Sequence, residues 1–177
     1  MLQAAQRLLR TPVGVLRVTA SERGVTAIER VSRASVASRA KVSGRAKVSR
    51  TQVSPRAARH ADTAVRQLRE YFAGTRQQFD LPLNSSGTAF QQKVWQQLIQ
   101  IPFGETITYL HMAKRLGNVK SIRAAASANG KNPLAIIIPC HRVVGADGKL
   151  TGYAGGLHRK QWLLEHEGKA SQLRMEL

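Results

Sequence analysis

Acidic residues are absent from two long stretches of this chain, residues 30–61 and 106–146, so neither stretch can neutralise its own basic groups internally. The first holds Arg33, Arg39, Lys41, Arg45, Lys47, Arg50, Arg56 and Arg59, separated mostly by Ser and Ala in near-repeats such as Ser38-Arg39-Ala40-Lys41-Val42-Ser43. Too few large apolar side chains lie there to offset the entropy of ordering, which predicts a flexible basic loop over about residues 31–60. A solvated insertion and a DNA-contacting arm both satisfy that composition. The second stretch carries Lys114, Arg115, Lys120, Arg123, Lys131 and Arg142 among many Leu, Ile and Val residues, so it must fold. Across 177 residues, 28 Lys+Arg against 10 Asp+Glu give a formal charge of +18, and the large partner such a surface attracts is a polyanion.

Other classes fall away quickly. One cysteine excludes an internal disulfide framework, and no Cys/His cluster has zinc-finger spacing, so no metal and no cofactor are expected. No run approaches the roughly 18 apolar residues that span a membrane. Arginines interrupt the apolar stretch of residues 1–10 and no small-residue cleavage site follows, so it does not read as a signal peptide. The expectation is a cytoplasmic protein.

The pattern of apolar residues predicts an α/β N-terminal part over 1–84 and a mainly helical part over 85–177. Residues 12–20 and 24–30 read as two strands around a turn at Glu22-Arg23-Gly24. Val65, Leu68, Tyr71 and Phe72 recur at helical spacing ahead of Gly74. Thr88 and Gln91 make a capping box for a helix with Phe90, Val94 and Leu98 on one face, which Pro102 and Gly104 end. A helix from near Thr108 would turn Leu110, Ala113 and Leu116 inward and stop at Gly117. Ser121 then caps an alanine-rich helix running to Gly130. These last two have the dimensions of a helix-turn-helix, although any helical hairpin shares them; the basic, acid-free composition favours contact with nucleic acid. The hairpin flanking Asp147-Gly148 is followed by a helix with Lys160, Trp162, Leu163 and Leu164, ending at Glu167-Gly168.

The apolar run Leu134–Ile138 leads through Pro139 to the lone cysteine, Cys140, and then His141 and Arg142. A free cysteine is often an inert core residue. Here the neighbouring imidazole and guanidinium argue for a reactive thiol, because cations near sulfur lower its pKa from ~8.5 and the thiolate is the nucleophile. Adjacent side chains diverge, so His141 would act through a water.

Ile138-Pro139-Cys140-His141-Arg142-Val143 resembles the active-site motif of the O6-alkylguanine-DNA alkyltransferases, the methylated-DNA–protein-cysteine methyltransferases. Asn132-Pro133, Gly152-Tyr153-Ala154-Gly155-Gly156 and Lys160-Gln161-Trp162-Leu163-Leu164-Glu165-His166-Glu167-Gly168 agree, as do Gly87-Thr88-Ala89-Phe90-Gln91, Val94-Trp95 and Ile101-Pro102-Phe103-Gly104. The likeness is strong over residues 64–168 and looser at Thr11-Pro12-Val13-Gly14, and it is similar to the stand-alone bacterial type. It implies a ribonuclease H-like N-terminal α/β domain and a winged-helix-like C-terminal domain holding the DNA-binding helix-turn-helix.

It further implies a monomer, able to bind cooperatively, that enters the minor groove of double-stranded DNA and flips an alkylated guanine into a pocket. The alkyl group of O6-alkylguanine, and of O4-alkylthymine, would pass irreversibly to Cys140 in one turnover. By the same resemblance, His141 deprotonates Cys140 through a water, Glu167 orients His141, and Asn132 braces the turn. Tyr109 donates a hydrogen bond to the flipped base, and Arg123 fills the gap the base leaves. Ala124, Ser127, Ala128 and Lys131 would face DNA, while Val143, Tyr153 and Ala154 would shape the pocket. One departure stands out: Arg123 is followed by Ala-Ala-Ala-Ser-Ala where the family pattern has glycines.

Overall fold

The computed structural model describes residues 3–31, 53–146 and 148–173. The chain divides into two units, Met1–Ser85 and Ser86–Leu177.

The first unit is built on an antiparallel sheet of β1 (Ala5–Thr11), β2 (Gly14–Ser21) and β3 (Gly24–Val31) in the order β1-β2-β3. Ala5 pairs with Ala20 and Val18 with Ile28, so Ala5, Leu9, Leu16, Val18, Ala20, Val25 and Ile28 are all buried. Helix α1 (Pro55–Phe72) packs on this sheet. Ala57 and Ala61 meet Ala5 and Ala20 in one wholly buried cluster, where small side chains let the helix lie close. Gly24 sits at φ +143 with a Cβ position 2.2 Å from the Pro82 carbonyl oxygen, so only glycine fits where the segment after α1 runs back along β3. Val25 N–H donates to Pro82 O and Asn84 N–H to Val25 O, both at 2.8 Å.

Two expectations change here. Residues 5–11, read only for what they are not, form a full strand, because Ala5 and Leu9 face the helix and Arg7, on the same face between them, reaches Asp62 of α1 at 2.7 Å, while Arg10 is exposed on the other face. The ends of the segment expected as a basic loop, 31–60, lie in regular structure. Val31 closes β3, and residues 55–60, with Arg56 and Arg59, belong to α1 because Ser54 caps the helix, Pro55 opens it, and the Ala57 face has a partner. Residues 32–52 lie outside the described residues.

In the second unit, α2 (Ala89–Ile99) starts with both bonds of the Thr88/Gln91 capping box in place. Val94, Trp95 and Leu98 form its buried face, whereas Phe90 in the first turn is exposed. A Cβ on Gly87 would lie 2.5 Å from the Trp95 ring, so this glycine makes room for the indole, whose Nε1–H donates to Ala128 O at 2.9 Å. Next come β4 (Ile107–Thr108) and α3 (Tyr109–Arg115), then a 3-10 turn Val119–Ser121 and α4 (Ile122–Gly130). Thr108 caps α3 through the His111 N–H, and Gly117, at φ +81, closes it. The inward residues of α3 are Met112 and Ala113; Leu110 is exposed, one position off the expected face. Ser121 occupies the N-cap of α4 but donates its hydroxyl to Asn118 O and caps nothing.

After a 3-10 turn at Cys140–Arg142, β5 (Val143–Val144) pairs in parallel with β4, and α5 (Leu157–Leu173) ends the described chain. Gly168 lies inside α5, not at its end, so Glu167 is an interior helix residue.

Candidate active site

The parallel pairs Ile107–Val143 and Thr108–Val144 are what bring the start of α3 beside the cysteine turn. Asn132 holds that turn from the other side. Its Nδ2 donates to Ile138 O at 2.7 Å and its Oδ1 accepts from Leu134 N at 2.9 Å, while Cys140 N–H also donates to Ile138 O at 2.8 Å. Between these anchors Ile136 takes φ +76, a strained conformation for a β-branched residue that surrounding structure must hold in place.

Cys140 is buried, with 6% of its surface exposed. Burial pushes its thiol pKa up, against the opposing pull of an Asn132 hydrogen bond and the Lys160 charge. The expected lowering through Arg142 does not occur, because that guanidinium turns away. Arg142 Nε donates to Glu167 Oε2 at 2.8 Å, Nη2 to Oε1 at 3.0 Å, and Nη1 to Ile101 O at 2.6 Å. Arg142 is therefore the counter-charge of Glu167, a part the sequence reading did not give it.

His141 is wholly buried and its Nε2 lies 2.8 Å from Glu167 Oε1. Burial lowers the imidazole pKa, so the ring is neutral. The Glu167 carboxyl, which burial alone would raise, is held far below the usual carboxylate range by His141 and Arg142. An ionised carboxylate only accepts, so Nε2 carries the His141 proton. His141 Nδ1 is then an unprotonated acceptor, buried and with no hydrogen-bond partner in the structure. This is the arrangement of a general base with a fixed tautomer.

A pocket of about 430 Å³ opens nearby, lined by Tyr109, Ile122, Arg123, Ala126, Gly130, Thr151, Gly152, Tyr153 and Ala154. Tyr109 and Tyr153 are both pushed up in pKa, chiefly by burial, so their hydroxyls stay protonated and can donate. Arg123, Ala124, Ser127 and Lys131 are exposed on α4 and just beyond it. Two expected placements fail. Ala128 is buried against α2, where its carbonyl receives Trp95, because it lies on the inward stripe with Ala125. Val143 is wholly buried in β5 and is not among the side chains that line this pocket; its carbonyl accepts from Lys160 Nζ at 2.6 Å.

Lys160 and Asn129 were not picked out as site residues. Lys160 reaches Thr151 O at 2.7 Å as well as Val143 O, tying β5 to the segment that carries the pocket wall. In a helix that also carries Arg159, Gln161, Glu165 and Glu167, nothing in the local sequence sets this lysine apart. Among the described residues, no group of three or more His, Cys, Asp or Glu side chains could hold a metal, and no helix is long and apolar enough to cross a membrane.

Residues 5–85 match the family model for the 6-O-methylguanine DNA methyltransferase ribonuclease-like domain, and residues 89–169 match that family's DNA-binding domain. A methylated-DNA–protein-cysteine methyltransferase of Methanosarcina acetivorans is 57% identical over 105 residues, 59% of this chain and 67% of that protein. A Mycobacterium tuberculosis counterpart is 56% identical over 104 residues, 63% of its length, so the aligned segments span about two thirds of these curated relatives. The crystal structure of the M. tuberculosis O6-methylguanine methyltransferase superposes with a TM-score of 0.75 at 39% identity, over 95% of this chain and 94% of that one. A M. tuberculosis protein in complex with DNA is similar to the same degree over 93% of both chains. With its cysteine turn, base and pocket in one unit and both domains matched, the chain belongs to the 6-O-methylguanine DNA methyltransferase family.

Proposed function

We propose that this protein repairs O6-alkylguanine in duplex DNA by taking the alkyl group onto Cys140, once per molecule. The observation that carries the reading is His141, whose Nε2–H is committed to Glu167 and whose Nδ1 is left as a buried acceptor beside the only cysteine. In the reaction the thiol proton passes through a water to Nδ1, and sulfur attacks the alkyl carbon. One S–C bond forms, the carbon–O6 bond breaks with its electron pair leaving on the base, and the guanine anion takes up one proton, which balances the one that His141 accepted from the thiol, so that neutral guanine is left. Tyr109 lines the pocket with a protonated hydroxyl and assists by donating a hydrogen bond to that base.

A base inside a duplex cannot reach a buried sulfur, so the lesion must leave the stack. Arg123 stands at the pocket mouth in the first turn of α4 and fills the gap, while the small residues Ala124 and Ser127 let that helix approach the minor groove. Likeness to a relative solved with DNA supports this partner. The pocket also admits a smaller pyrimidine, which makes O4-alkylthymine a second substrate. The protein acts as a monomer.

Because a thioether at carbon is a very poor leaving group, no group in the site can restore the thiol. Incubation with duplex carrying labelled O6-methylguanine should place one label per protein on the Cys140 peptide, and Cys140→Ala should bind DNA yet take none. Clearance of many lesions by one molecule, or a label on another residue, would overturn the reading.

A further inference from the structure

Asn129, in the last turn of α4, joins two parts of the site that are distant in sequence. Its Nδ2 lies 3.3 Å from the Tyr109 hydroxyl oxygen and 3.3 Å from the Cys140 carbonyl oxygen. The Cys140 carbonyl can only accept, so the amide group must face it with its nitrogen. One of the two amide hydrogens goes to that carbonyl and the other to Tyr109. The Asn129 residue is 4% exposed, yet its Oδ1 is buried without a hydrogen-bond partner. Leaving a buried carbonyl unpaired costs stability, so a residue that served only to satisfy the Cys140 carbonyl would be a poor choice here.

We propose that Asn129 is a positioning residue that sets the direction of the Tyr109 hydroxyl, occupying its oxygen as acceptor so that its proton points into the pocket toward the base. The inference rests on the alkyl-transfer reading above. An N–H donated to the phenol oxygen also strengthens the phenol as a donor, since successive hydrogen bonds polarise one another. In agreement, the Asn129 bond opposes the upward push that burial exerts on Tyr109. Both bonds sit at the long end of the hydrogen-bond range, a common state for site contacts that tighten when a ligand arrives. The same amide spans from Tyr109 on α3 to the cysteine turn, so donor and nucleophile move as a pair.

The test is the rate of methyl transfer from duplex O6-methylguanine to Cys140, measured under single-turnover conditions at saturating protein. Four proteins are compared with the wild type: Asn129→Leu, Asn129→Asp, Tyr109→Phe, and Asn129→Leu with Tyr109→Phe. Asn129→Leu should slow the maximal rate about tenfold, the worth of one hydrogen bond, with the half-saturating DNA concentration unchanged. In the Tyr109→Phe background the same change should cost less than about twofold, because the hydroxyl it directs is gone. Asn129→Asp keeps the shape but takes the Tyr109 proton as an acceptor, and it should slow transfer as much as Tyr109→Phe does. Should Asn129→Leu fail to fold, Asn129→Asp in both backgrounds gives the same cycle. Equal losses from either Asn129 change with and without the Tyr109 hydroxyl would overturn the positioning role. Absence of transfer to Cys140 in the wild type would instead overturn the function on which it rests.

Discussion

Burial holds the His141 imidazole neutral at pH values where an exposed one, with its ordinary pKa of 6.5, would take up a proton. Unfolding releases that ring, so the unfolded chain binds more protons and stability falls as pH drops below about 6.5. Glu167 adds to this with the same sign: its folded pKa is depressed, so its contribution is complete above its ordinary 4.5 and fades as acid protonates it. Denaturant unfolding at a series of pH values should therefore show stability declining from about pH 6.5 and more steeply below 4.5. A flat profile through that range would contradict the buried neutral base. Arg142 is the residue that makes the buried carboxylate tolerable, with 7% of its side chain exposed against 1% for Glu167. Arg142→Ala strands that charge and should cost about 3–5 kcal/mol in urea unfolding, far more than a surface ion pair such as Arg7–Asp62.

At the scale of elements, α2 and α4 are locked by one indole. Trp95→Phe keeps most of the buried area but drops the bond to Ala128 O, leaving that carbonyl unpaired, and should cost about 1–2 kcal/mol in thermal unfolding. Gly87→Ala pushes a methyl into the Trp95 ring and should destabilise by a similar 1–3 kcal/mol. Since α4 carries Arg123, Asn129 and the pocket wall, both changes should also slow alkyl transfer, whereas Gly117→Ala acts only through backbone strain at φ +81. Calorimetry on the three variants separates these causes.

Across the whole molecule the charge of +18 acts through exposed cations, and Lys114, Arg115, Lys120, Arg123 and Lys131 on and around α3 and α4 are all exposed. Each phosphate contact releases counterions. Lys120→Ala and Lys131→Ala should therefore each flatten the slope of log affinity against log salt by about 0.9. Arg123→Ala should differ in kind. It should impair repair of duplex DNA far more than reaction with free O6-methylguanine, because only the duplex requires the base to be flipped; equal losses would assign Arg123 a structural part.

The Cys140-His141 turn and the helix pair around Gly117 were legible because they rest on short-range chemistry, a proline-fixed turn, a capping threonine and a glycine needed at positive φ, whereas Tyr109 was singled out only through the family resemblance. Strand β1 was hidden because Arg7 interrupts the face that carries Ala5 and Leu9, and the Asp62 that pairs with it there comes from α1, 55 residues on. Glu167 looked like the end of a helix, and only its burial against His141 and Arg142 shows that it carries the site's charge. Arg142 was placed beside the right cysteine but given the wrong partner, since sequence adjacency does not fix side-chain direction. Asn129 could not be read at all, because its two hydrogen-bond partners lie 20 and 11 residues away and meet only when β4 pairs with β5. The sequence by itself marked the cysteine turn and its neighbours; the packing of β4, β5, α4 and α5 decided that Glu167 takes the His141 proton donor and the Arg142 guanidinium, so that this cation is turned to the carboxylate and not to the sulfur.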